Sequence, residues 1–288
     1  SWVKETYPSA LIVESNRHSA AAILKDSLNI IKWGISTDSV SISFYGDMEF
    51  VKSALAKVEG SFLVIQTKVE WVYSNDGGSV VLPVSYDRLP CEEMYPFLKG
   101  ESLTDYYDRY FASSSGILLL IGEPGTGKTS FIKGMLHHKQ CSATVTYSEA
   151  ILDQDYFFSS FLEGDAKVMI LEDSDNFLRS RKDGNTMMHR FLNVGDGLVS
   201  SRGKKMIFST NLPSISDIDS ALIRSGRCFD IISFSPLNKE QAKGLADRVG
   251  VELPACSNSR GEYSIAEIFN SAPNPTLTNT SKQKFGFA

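Results

Sequence analysis

The residues whose types and spacing could do chemistry are Gly122-Glu123-Pro124-Gly125-Thr126-Gly127-Lys128-Thr129, followed by Ser130. Glycines at these intervals let the backbone curl until successive N–H groups face inward, where they can hold phosphate oxygens. Lys128 has the reach for β- and γ-phosphates, and the Thr129 hydroxyl can ligand Mg²⁺. The loop needs a strand before it and a helix behind it. Ile117 to Ile121 is an apolar run and Ser130 to Leu136 reads as helix, so both are expected. The pattern implies a bound nucleoside triphosphate.

A second group of residues could cleave it. Val168-Met169-Ile170-Leu171 is an apolar strand ending in Glu172 and Asp173. In P-loop enzymes such a strand is expected beside the P-loop strand. Its first carboxylate holds the Mg²⁺ water shell and the next polarises the attacking water. Glu172 takes the first role here and Asp173 the second. The Glu-Asp order inverts the commoner one, which leaves Glu172 open as the alternative base. Asp175 is expected to serve the surface or a cap. Met206 to Ser209 is a further apolar strand, and Asn211 beyond its end could orient the water from the opposite side. Arg224 and Arg227 flank Gly226, where two guanidinium groups could stabilise a phosphoryl transition state. Standing alone they would read as a solvated basic loop.

These groups need a scaffold, and 288 residues with 42% hydrophobic content supply one large domain or two modest ones. Residues 1–100 read as a separate α+β unit for binding or positioning. Within it, Ala20 to Trp33 reads as a helix ended by Gly34, and Val40, Ile42 and Phe44 alternate as a strand. Asp47 caps a helix that Gly60 stops. Leu63 to Trp71 reads as a long strand that Asn75-Asp76-Gly77-Gly78 turns into a hairpin, with Pro83 marking a sheet edge. Leu89 to Ser115 reads as a connector with one helix. Residues 101–236 alternate strands with helical stretches, the last of them Thr186 to Asn193, which implies a parallel sheet covered on both faces. Residues 237–288 read as a small helical lid, with a capping box at Ser264-x-x-Glu267, and a loosely held tail.

The net charge of −5 gives no footprint for nucleic acid. No apolar run reaches the roughly 20 residues a bilayer requires. The expected setting is soluble and cytoplasmic, with four reduced cysteines. A first residue that is not Met leaves an anchor or targeting segment ahead of Ser1 open.

Taken together, the P-loop, Leu171-Glu172-Asp173-Ser174-Asp175, Ser209-Thr210-Asn211 and Ala221-Leu222-Ile223-Arg224-Ser225-Gly226-Arg227-Cys228-Phe229-Asp230 resemble the AAA ATPases. Within them the likeness is to the subgroup of the mitochondrial chaperone that translocates the Rieske protein during cytochrome bc complex assembly, and to its bacterial and phage relatives. Phe191-Leu192-Asn193-Val194-Gly195-Asp196-Gly197 contributes to that likeness. The resemblance covers Leu89 to Ser235. It implies an α/β P-loop fold, ATP and Mg²⁺ as ligands, and a ring of six or seven copies with ATP bound between neighbours. Arg224 and Arg227 would then be arginine fingers acting in trans, and Asn211 the sensor. A protein client is implied. A nucleic-acid motor or loader, or a slow nucleotide-gated scaffold, is the alternative. The aromatic–hydrophobic–Gly pore loop of protein-threading relatives is missing after Tyr147. Tyr156, Phe157 and Phe158 read as core. No lid arginine aimed at the γ-phosphate is identifiable.

Overall fold

The computed structural model describes residues 2–16, 19–25, 27–35, 40–61, 67–74, 78–84, 89–98, 100–178, 191, 203–212, 214–224, 226–256 and 258–271. The chain divides into two compact units, residues 1–65 and 66–288. The expected helix over Thr186 to Asn193 and the tail beyond residue 271 lie outside the described residues, apart from Phe191.

The first unit comprises α1 (Trp2–Thr6), β1 (Ala10–Ser15), β2 (Ser19–Leu24), β3 (Ile30–Ile35), β4 (Val40–Tyr45) and α2 (Met48–Glu59). Its strands form an antiparallel meander in the order β1-β2-β3-β4. The helix expected over Ala20 to Trp33 is therefore two strands. Leu28 takes a positive φ of 53°, and Leu24 N–H donates to Asn29 O at 2.9 Å, which closes a tight turn in mid-segment. Pairing on both sides outweighs the helical preference of Ala20-Ala21-Ala22. The expected strand at 40–44 and the cap at Asp47, which accepts from Phe50 N–H at 2.8 Å, are both present. Val3, Leu24 and Ile31 form a small core, with Trp33, Phe44 and Phe50 packed around it.

The second unit runs β5 (Lys68–Val72), β6 (Ser79–Pro83), α3 (Leu103–Ala112), β7 (Ile117–Gly122), α4 (Lys128–Lys139) and β8 (Ala143–Val145). It continues with α5 (Glu149–Leu152), α6 (Asp155–Glu163), β9 (Val168–Leu171), α7 (Asp175–Leu178), β10 (Lys205–Thr210), β11 (Cys228–Phe234), α8 (Lys239–Val249) and α9 (Ile265–Asn270). Seven strands make one sheet in the order β11-β7-β10-β9-β8-β5-β6, all pairs parallel except β5 with β6. Along β7, Leu118 and Leu120 enter one apolar cluster, while Ile117, Leu119 and Ile121 enter another. Both faces of the sheet are thus buried, which is why its strands read as unbroken apolar runs.

Two expectations about organisation change. The boundary expected near residue 100 falls at residue 65, because β5 pairs in parallel with β8 through Val69↔Ala143 and Trp71↔Val145. The hairpin therefore completes the large sheet, with Pro83 on its edge strand β6 as expected. The stretch expected as a connector is a packed element. Tyr107 donates to Phe131 O at 3.1 Å, and Tyr110 donates to Gly116 O at 2.9 Å and Met206 O at 3.1 Å. These buried phenols fasten α3 to the P-loop helix and to two central strands. Phe157 and Phe158 are buried beneath the opposite face together with Phe161, but Tyr156, expected in the same core cluster, is 37% exposed because it lies on the outer side of α6. The four cysteines are free.

Candidate functional site

The site is built where β7, β9 and β10 end. Gly127 opens α4 from a left-handed conformation, φ 92°, that a side chain would strain. A Cβ there would also stand 2.9 Å from Ile265 Cδ1 and 3.2 Å from Tyr95 Cε1. The loop is braced from within, where Thr126 Oγ1 donates to Glu123 O at 2.7 Å. It is braced from outside by Tyr95, whose hydroxyl donates to Gly127 O at 3.0 Å, and by Ala266 N–H, which donates to Gly125 O at 3.0 Å. The α4 N-terminus is thereby held open toward a cavity of about 610 Å³.

That cavity brings together Lys128, Thr129, Ser130, Glu172, Asp173 and Asn211. Pro124, Gly125 and Gly127 line it from the loop. Leu89 and Met94 meet it on one side, and Ile265 and Phe269 from α9 on another. Its volume falls within the roughly 300–1,000 Å³ of ordinary ligand sites. Neither Arg224 nor Arg227 is among its lining residues. Arg224 is exposed, and half-buried Arg227 donates from Nη1 to Ala221 O at 3.2 Å.

Sequence reasoning put the carboxylate strand beside the P-loop strand. The structure corrects this: β10 lies between β7 and β9. The intervening strand carries Asn211 into the middle of the site. Its Oδ1 accepts from Lys128 Nζ at 2.9 Å, and its Nδ2 donates to Asp173 Oδ1 at 3.2 Å. Lys128 also donates to Gly122 O and to Glu123 O, the latter at 3.1 Å. On the other side, Thr129 Oγ1 donates to Glu172 Oε1 at 2.5 Å. Asp173 turns the chain off β9 with a positive φ of 49°, one of three non-glycine residues among those described to do so.

Burial pushes the Lys128 ammonium below its usual pKa, against the pull of Asp173, Asp175 and Glu172. Asp175, expected as a surface or capping residue, fixes the end of β10 instead. It accepts from Thr210 Oγ1 and, at 3.0 Å, from Asn211 N–H. Ser174 Oγ donates to Ser209 O at 2.8 Å and ties the same two strand ends together. Tyr95, Ile265 and Phe269 were not singled out in the sequence, whereas Ser174 stood within the motif Leu171-Glu172-Asp173-Ser174-Asp175. Ile265 and Phe269 fall within the stretch 237–288 expected as a helical lid, where the capping box at Ser264 forms as expected.

Only oxygen donors face each other at Thr129 and Glu172. Among the described residues no cluster of three or more His, Cys, Asp or Glu could hold a metal by itself. This donor set suits a hard cation carried largely by phosphates, as Mg²⁺ is.

A glycine-rich P-loop, a paired acid and hydroxyl, and an amide at the end of the strand between them are the features of a P-loop nucleoside triphosphatase. Residues 118–236 match the model of the "ATPase family associated with various cellular activities (AAA)", so the chain carries an AAA ATPase domain. The "26S proteasome regulatory subunit 8 homolog" of Encephalitozoon cuniculi is 31% identical over 140 residues, 42% of this chain and 35% of that protein. Its namesake in Schizosaccharomyces pombe is 29% identical over 192 residues, 59% of this chain and 46% of the relative. The "Probable mitochondrial chaperone bcs1" of S. pombe is 29% identical over 159 residues, 52% of this chain and 34% of the relative. The chain thus spans less than half the length of these relatives. No helix among the described residues is long and apolar enough to cross a membrane.

Proposed function

We propose that this chain hydrolyses Mg-ATP at the interfaces of a ring of its own copies and uses the cycle to remodel or translocate a protein. The observation that carries the reading is the chain of contacts Lys128–Asn211–Asp173 beside Thr129–Glu172 in one cavity. Phosphoryl transfer is catalysed mainly by positioning and electrostatics, and these contacts hold the needed groups in place beforehand. Gly122 to Ser130 grip the triphosphate, and Lys128 exchanges its carbonyl partners for phosphate oxygens. Asp173 takes the proton of the attacking water while Asn211 holds that water in line. Thr129 and Glu172 offer oxygens to Mg²⁺, whose chemistry is to neutralise charge on the phosphates. The apolar rim of Leu89, Met94, Ile265 and Phe269 suits a flat base.

Arg224 and Arg227 lie outside the cavity of their own chain, which supports a role at a neighbour's phosphates. A protein client is supported by the relatives' names, a proteasome regulatory subunit and a chaperone. The first unit, with its own small core, is assigned the recruiting or positioning role. The test is affinity capture from native lysate with Asp173→Asn and ATP, against wild type with ADP. A polypeptide enriched only in the ATP-locked sample supports the reading. Nuclease-sensitive nucleic acid in its place would replace it with a nucleic-acid motor.

A further inference from the structure

Glu172 has two hydrogen-bond partners. Thr129 Oγ1 holds Oε1, and Tyr147 OH donates to Oε2 at 3.0 Å. Tyr147 lies two residues beyond the end of β8 and is not among the residues that line the cavity. Its backbone is pinned on both sides. Val145 pairs with Ile170 and with Trp71, and Ile151 N–H donates to Ser148 O at 3.2 Å as α5 begins. The ring packs edge-on against Trp71, centroids 6.5 Å apart, and Trp71 in turn lies 5.7 Å from Tyr73. The side chain is 54% exposed, with Trp71 packed against its ring and Glu172 at its hydroxyl.

We propose that Tyr147 is a positioning residue for the metal-side carboxylate: it ties one oxygen of Glu172 to the end of β8, which orients the carboxylate that is to hold the Mg²⁺ of the nucleotide. The inference rests on the reading of Glu172 as that carboxylate. A free carboxylate rotates and must be ordered when the metal arrives. One held at both oxygens is ordered beforehand, and such outer partners commonly govern metal affinity. Tyr147→Phe keeps the ring against Trp71 and removes only the donor.

The test is Mn²⁺ binding to the protein–ADP complex, read as free Mn²⁺ by electron paramagnetic resonance. It compares wild type, Tyr147→Phe, Glu172→Gln and the double variant. ADP affinity in EDTA is measured alongside. Tyr147→Phe should weaken Mn²⁺ binding roughly tenfold and leave metal-free ADP affinity unchanged. Added to Glu172→Gln it should weaken binding little further, because both act through one carboxylate. Wild-type Mn²⁺ affinity in Tyr147→Phe would overturn the proposal, as would a penalty that persists undiminished in the Glu172→Gln background. Unchanged Mn²⁺ affinity in Glu172→Gln itself would overturn the parent assignment of Glu172, an outcome distinct from a failure at Tyr147.

Discussion

Lys205 opens β10, the strand that leads to Asn211, and its charge is buried with no acid beside it among the described residues. The residue is 2% exposed; Nζ donates to Ser113 O at 2.7 Å and Ser115 O at 3.1 Å and lies 4.9 Å from the Tyr110 ring centre. Burial pushes its pKa from 10.5 down to about 8. The unfolded chain therefore binds more protons than the folded one between those values, and stability contributed by this site rises with pH. At pH 7 the charged ammonium withholds roughly 3 kcal/mol, of which about 2 kcal/mol returns by pH 9.5. These are upper figures, since the two carbonyls and the ring offset part of the desolvation. The perturbation is Lys205→Met, similar in length and uncharged. Urea unfolding of both proteins at pH 7.0, 8.0, 9.0 and 9.5 isolates the site, because other titrations cancel in the difference. Wild type should gain on the variant by up to about 2 kcal/mol across that range. A difference that stays flat with pH would refute the reasoning and mean that the ammonium is neutralised or solvated in the folded state.

Other expectations follow from the site and its supports. Gly127→Ala combines a left-handed backbone with contacts of 2.9 Å to Ile265 and 3.2 Å to Tyr95, the latter wedged edge-on against Phe131 and Phe234. It should cost roughly 2–4 kcal/mol in denaturant unfolding and weaken ATP binding. Gly244→Ala, in the middle of α8 with nothing within 4 Å of the added Cβ, should instead stabilise by about 1 kcal/mol in the same assay. Arg227→Ala should keep nucleotide affinity, measured with a fluorescent ATP analogue, and lose turnover by about 10³-fold or more. Adding Lys128→Ala subunits, which retain their arginines, should then restore some of it, whereas wild-type turnover in Arg227→Ala alone would exclude a trans finger.

The site was legible where its residues are contiguous. Gly122 to Thr129 form one loop, and their chemistry depends on local backbone freedom that glycine spacing reveals. The strand ends at Glu172 and Asn211 were legible as apolar runs closed by polar residues. Their order in space was not, because pairing of β10 with both β7 and β9 is long-range. Ala20 to Trp33 misled for a related reason. Its composition favours helix, and only neighbouring strands make it β. The β5–β6 hairpin was visible from its turn residues, but its place beside β8 was not. Tyr95 and Tyr147 belong to no motif. Each acts by meeting a P-loop or carboxylate residue across the fold, and a sequence pattern does not record that.

The most direct test of the central claim is steady-state ATP hydrolysis by the purified chain with Mg²⁺, compared with Asp173→Asn, with ATP binding measured in parallel. The expected result is Mg²⁺-dependent turnover in wild type, and a variant that binds ATP as well but hydrolyses it at least about 10²-fold more slowly. Equal turnover in the two proteins would contradict the assignment of this cavity as the hydrolytic centre.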